Sequence, residues 1–244
     1  MALVDFLLLF GSVMISGGVY FFIQKPSQRF LKLLLSFSGA FLFAISVLHL
    51  MPEVYENSGP SIGIWIMLGF FLQIVLELFS EGIEHGHIHI HKTNHHAFPF
   101  TMMLSLSLHS FLEGMPLSTV NTTLQQDSHS HSLLYGIILH HIPVAFALVS
   151  MLHASGISKR STLVFLIIFA SMAPLGAFSG ILLHDSSIGN ISIYYDKIMA
   201  IVIGIFLHIS TTILFESGSD HRFNVYKLFA IVTGGIIGIL SFGI

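Results

Sequence analysis

Runs of apolar residues, each close to the length of one bilayer crossing, dominate this sequence, with short polar stretches between them. Eight such segments cover about residues 2–23, 32–51, 61–79, 97–120, 132–153, 161–183, 193–215 and 225–244. A helix needs about 20 apolar residues to cross the hydrocarbon core. Lipid offers backbone N–H and C=O groups no partner, so the crossing chain must satisfy them itself. The pattern predicts an all-α integral membrane protein of eight transmembrane helices. The first segment opens M-A-L-V-D-F, with no basic region and no small-residue cleavage pattern, and reads as a spanning helix rather than a signal peptide. Residues 1–244 are expected to form a single transmembrane domain, with residues 80–97 as a polar loop inside it.

Composition agrees: 54% of the 244 residues are hydrophobic and 9% charged, with a mean hydropathy of +0.86, too apolar for a water-soluble globule. With no cysteine, disulfides and thiolate metal sites are excluded. Charge placement adds a topology. The odd-numbered connections hold Lys25, Arg29, Lys32, Lys92, Lys159, Arg160, Arg222 and Lys227, and the even ones only Lys197. Eight of nine basic residues therefore share one side, which the positive-inside rule makes cytoplasmic. Both termini are then expected outside a cell (plasma or inner) membrane.

Sixteen histidines outnumber the nine Lys plus Arg. Histidine is costly in a membrane and is a common transition-metal ligand. His109 and Glu113, in the fourth segment, are one helical turn apart and leave the same helix face. A carboxylate at mid-bilayer costs at least roughly 2.5–3.5 kcal/mol on the insertion scale, so it calls for a cavity or a partner. His140 and His141 lie near the middle of the antiparallel fifth segment, at similar depth. Imidazole and carboxylate together suit a transition metal such as zinc. The bland alternative is a set of packing histidines bonded to backbone carbonyls. Pro116, Pro143 and Pro174 fall in mid-pattern and are expected to kink three helices, freeing carbonyls near membrane depth.

Other polar residues mark other depths. His49 and Glu53 stand near the outer face, Gln73 and Glu77 near the inner end of the third segment, and His208 and Glu216 in the inner half of the seventh. They are candidates for an entry funnel and an exit, although carboxylates at helix ends are often merely solvated. The third connection holds His85, His87, His89, His91, His95 and His96, a composition suited to loose, exchangeable metal binding on the cytoplasmic side or to a plain polar linker. His129 and His131 in the fourth connection are a weaker version of the same feature.

Taken in order, these residues resemble the ZIP family of divalent metal transporters along nearly the whole chain. H-S-F-L-E-G at 109–114 is similar to the fourth-helix H-N-x-x-E-G motif, and H-H-I-P at 140–143 to the fifth-helix H-x-x-P motif. H-L-M-P-E at 49–53 and A-P-L-G-A-F-S-G at 173–180 resemble the second- and sixth-helix endings. The resemblance implies a bundle in which an inverted repeat relates helices one to three with six to eight, around helices four and five. G-A-F-L at Gly39 and G-I-F-L at Gly204 are its only echo in the sequence. The resemblance also implies two adjacent metal positions. His109, Glu113 and His140 match ligands of the primary one. At the second, Ser110 stands where the family often has Asn, Val144 where a bridging carboxylate is common, and Ala173 where a Glu is often found. One well-formed site is therefore expected, supplemented by His141.

The function so implied is uptake of a divalent transition metal, foremost Zn²⁺, with Fe²⁺, Mn²⁺ and Cd²⁺ open. Metal would enter past Glu53 and His49, bind at the central site, and leave toward His208, Glu216 and the histidine loop. An inside-negative potential favours dication entry by about 4.6 kcal/mol per 100 mV, at roughly 2.3 per charge. Binding needs neutral imidazoles, so transport is expected to weaken as pH falls through the histidine range. Metal ions and membrane lipid are the expected partners, with a homodimer left open; nucleic acid, a resident cofactor and catalysis are not expected. The principal alternative is an intramembrane zinc-dependent hydrolase, in which the same ligands would activate water. A cation-diffusion-type exporter would show six spans and a cytoplasmic domain, and a metal-sensing receptor would bind without moving its ion.

Overall fold

Each apolar segment folds as a helical rod. The structure is a computed structural model and describes residues 2–22, 28–80, 98–117, 128–185, 192–215 and 225–241. Among these, the helices are α1 (Leu3–Val19), α2 (Gln28–Ile45), α3 (Met51–Ser58), α4 (Gly63–Ser80), α5 (Phe98–Gly114), α6 (Ser128–Ala154), α7 (Lys159–Asp185), α8 (Ser192–Phe215) and α9 (Val225–Leu240). The second apolar segment continues from α2 through a π-helical turn, Ser46–Leu50, into α3, so the fourth and fifth segments become α5 and α6. Among the described residues, five rods are long and apolar enough to cross a membrane: Arg29–Ser58, Pro60–Phe79, Leu133–Ala154, Lys159–Leu182 and Tyr194–Phe215. With the shorter apolar helices beside them, they make an all-α, multi-pass membrane bundle.

Proline acts in three ways here. Pro143 and Pro174 lie inside α6 and α7. The Ser16 hydroxyl of α1 donates to the Ile142 carbonyl at 2.5 Å, next to Pro143, and ties α1 to α6. Pro116 departs from the expected mid-helix kink. The α-helix stops at Gly114 and tightens to a 3-10 turn over residues 115–117, because the ring removes a donor and disfavours helical backbone at the preceding residue. Pro52 has no N–H for Leu48, and just before it the Met51 N–H reaches back to the Ser46 carbonyl, which widens the turn that carries His49.

The rods pack in two groups. In one, α1 lies along α6 and α7, and α5 along α7; in the other, α2 lies along α9 and α8, and α4 along α8; α2 also packs on α6 and α4 on α5, which joins the two groups. Glycines set the closest approaches. A Cβ on Gly204 would strike the Ile66 carbonyl and one on Gly69 the Ile201 carbonyl, joining α4 to α8 backbone to backbone. Gly114 and Gly176 do the same for α5 and α7, against the carbonyls of Ala173 and Phe111. Small residues at such crossings are how membrane helices gain van der Waals contact without a hydrophobic drive between them.

Contacts near the helix ends sort those ends into two sets. The Arg29 guanidinium lies 4.4 Å from the Tyr226 ring, joining the starts of α2 and α9, and Tyr20 meets His153 at the ends of α1 and α6. At the opposite end Ser58 donates to Asp196 at 2.6 Å, and Tyr195 donates to the Pro116 carbonyl at 3.1 Å. Between the two ends lie two apolar clusters. One includes Leu35, Leu106, Val144, Leu148 and Phe169, and the other Phe41, Leu117, Ile137, Ala173 and Phe206.

Candidate metal centre

The boundary between those clusters is polar. On α5, His109, Ser110 and Glu113 stand between Leu106 of one cluster and Leu117 of the other. On α6, His140 and His141 stand between Ile137 and Val144. Helical spacing of three to four residues makes this arrangement, since His109 and Glu113 share a face and the apolar residues a turn away on either side seal it. Burial is complete: His109, Glu113 and His140 are 0% exposed and His141 1%.

His109, Glu113 and His140 each offer a ligand atom, and the three atoms lie within 4.8 Å of one another. His109 Nε2 stands 3.1 Å from Glu113 Oε1. His141 is not part of that trio; its Nε2 donates to Glu113 Oε2 at 2.7 Å. A buried carboxylate thus has a histidine against each oxygen. Two imidazoles and a carboxylate oxygen form a donor set suited to zinc and its neighbours, and three protein ligands leave a tetrahedral ion one open position. Ser110 is buried, and its Oγ has no hydrogen-bond partner among the described residues. Val144 and Ala173 are buried as apolar residues, so neither contributes a second carboxylate to this layer.

The other flagged residues lie apart from this cluster. His208 of α8 and Glu77 of α4, read separately as exit residues, form a pair at 2.7 Å, with the Phe70 ring edge-on to the imidazole at 4.9 Å. His49 lies in the π turn and Glu53 on the exposed first turn of α3; neither joins the central trio. Glu216 and the loop histidines His85, His87, His89, His91, His95 and His96 lie outside the described residues, as does the rest of that loop. Sequence reasoning missed the glycine contacts that register α5 against α7. Their signal was present, because Gly114 directly follows Glu113, and Gly176 closes the A-P-L-G run.

A family model described as ZIP Zinc transporter matches residues 98–241, more than half of the chain. The chain belongs to the ZIP family. That is a family of transporters rather than enzymes, and the matched stretch contains the whole central cluster. Among relatives, the chain is 27% identical to Zinc transporter ZIP9-B of Xenopus laevis over 121 residues, 50% of this chain and 40% of that protein. It is 25% identical to Protein zntD of Dictyostelium discoideum over 167 residues, 63% of this chain and 24% of that one. Zinc transporter ZIP1 of Danio rerio is 31% identical over 109 residues, 43% and 34% of the two chains. The matches thus span about a quarter to two fifths of these relatives' lengths.

Proposed function

We propose that this ZIP-family chain moves Zn²⁺ into the cytoplasm by alternating access, with His109, Glu113 and His140 as its central ligands and His141 as the fourth member of the cluster. The observation that carries the reading is the buried trio itself, with ligand atoms within 4.8 Å and an apolar cluster on either side. A divalent ion cannot cross packed leucine and isoleucine without losing its hydration uncompensated. To reach such a site from either face, one apolar layer must part while the other stays closed, which is what alternating access requires. Imidazole donors favour zinc over harder ions, and relatives named as zinc transporters point the same way.

The fuller picture has eight spans in a cell membrane, both termini outside and the histidine loop at residues 80–97 in the cytoplasm. The two sets of helix ends support it, since Arg29 and Tyr226 meet at the end that carries most of the basic residues. An inverted repeat is also part of the proposal. Thirty residues separate Gly39 from Gly69, and thirty separate Gly204 from Gly234. Gly69 rests on the Ile201 carbonyl of α8, and Gly234 on the Phe37 carbonyl of α2. Two halves that pack on each other reciprocally in this way are the pattern of inverted-repeat transporters. His49 and Glu53 would then serve entry, and His208, Glu77, Glu216 and the loop histidines release.

Radiozinc flux into proteoliposomes tests the core of this reading. The wild type is expected to accumulate zinc down an inside-negative potential, and the doubly substituted chain, His109→Ala with Glu113→Ala, to fall to the level of empty vesicles. Flux undiminished by the double substitution would sink the proposal.

A further inference from the structure

We propose that His141 is a positioning residue that restricts Glu113 to one metal-facing oxygen, and so biases the central site toward four-coordinate zinc. The inference rests on the metal-transport reading above and deepens it. Glu113 has two oxygens in different company: Oε1 faces His109 at 3.1 Å, while Oε2 accepts from His141 Nε2 at 2.7 Å. A nitrogen whose proton is donated to a carboxylate has no lone pair at that atom for a metal. The His141 ring also packs against the Phe169 ring of α7, at 5.6 Å between centroids. Phe169 is itself 1% exposed, so this contact lies within the packed core, with His141 Nε2 on Glu113.

The chemical consequence concerns denticity. With Oε2 held, Glu113 presents one oxygen, and the metal meets two imidazoles and one carboxylate oxygen, with one position left for exchange. That count matches tetrahedral zinc. Freed from His141, the carboxylate could turn to offer both oxygens, and the added oxygen donor favours harder ions that take more ligands, such as Mn²⁺. Outer partners of this kind typically contribute 10–100-fold in affinity.

X-ray absorption on full-length protein loaded with one equivalent of zinc tests this. The six loop histidines are replaced by serine so that the loop adds no imidazole. The expected zinc shell holds two imidazoles, in the wild-type centre and in His141→Gln alike, because glutamine keeps a donor for Oε2. His141→Ala is expected to weaken zinc binding by about 10–100-fold and to raise Mn²⁺ uptake relative to Zn²⁺, with His141→Gln restoring most of the preference. Three imidazoles in the wild-type shell, falling to two in His141→Gln, would overturn the assignment and leave the transport reading standing. Zinc content unchanged by His109→Ala would overturn both. The wild-type spectrum alone decides the count if a variant fails to fold.

Discussion

Two histidine–carboxylate contacts of equal length, 2.7 Å, occur in this bundle and differ in everything around them. Glu113 is fully buried, has a histidine on each oxygen, and has a third imidazole within ligand range. The Glu77 side chain is 27% exposed, and it pairs with His208 of α8. The helices differ too. α4 and α8 are joined backbone to backbone through Gly69 and Gly204, so the Glu77–His208 pair sits on a seam that already holds itself. α5 and α6 touch each other sparingly, and are organised by α7 and α1. Across α5 and α6 the polar cluster is thus a principal link. A short distance alone does not mark a site. Full burial and convergence of several donors on one carboxylate do.

Replacing the two carboxylates gives the sharpest break. Glu113→Ala is expected to lower zinc flux at least about 100-fold, since it removes a ligand and strands two buried histidines, while Glu77→Ala costs no more than about 10-fold. Equal losses would erase the distinction between the two contacts. Next come the glycine seams. Gly204→Val and Gly114→Val each drive a side chain into a carbonyl of the facing helix, at a cost of about 1–3 kcal/mol or more for overpacking. Thermal unfolding in detergent should show both losses. Zinc affinity should fall only for Gly114→Val, whose neighbour is Glu113. The smallest effect belongs to the part-buried pair. A double-mutant cycle on Glu77 and His208, read by unfolding, should give a coupling of about 0.6 kcal/mol, the usual size for one polar contact between membrane helices. A clearly larger coupling would raise that pair to the rank of the central one.

Much of the bundle was legible in the linear pattern, for a physical reason. Lipid satisfies no backbone group, so an apolar run of crossing length must be a helix, and polar residues inside it stand out by their cost. The i, i+4 spacing of His109 and Glu113, and the depth of His140 and His141, follow from local geometry alone. Boundaries were less secure. Pro116 sits within an apolar run and reads as a kink, yet the chain leaves the α-helix at Gly114, since proline removes a donor and disfavours helical backbone at the residue before it. Pro52 carried a signal for the π turn, but periodicity does not register one extra residue in a turn.

The sequence by itself determined that this is a multi-pass helical protein with costly histidine and carboxylate residues inside its apolar segments. Both facts depend on composition within single helices. Tertiary structure alone decided the partnerships: His141 on the far oxygen of Glu113, Glu77 on His208, and the Gly114–Gly176 contact that registers α5 against α7. These depend on the rotation and approach of one helix relative to another. Such quantities arise from the packing of whole faces, and no local spacing along the chain encodes them.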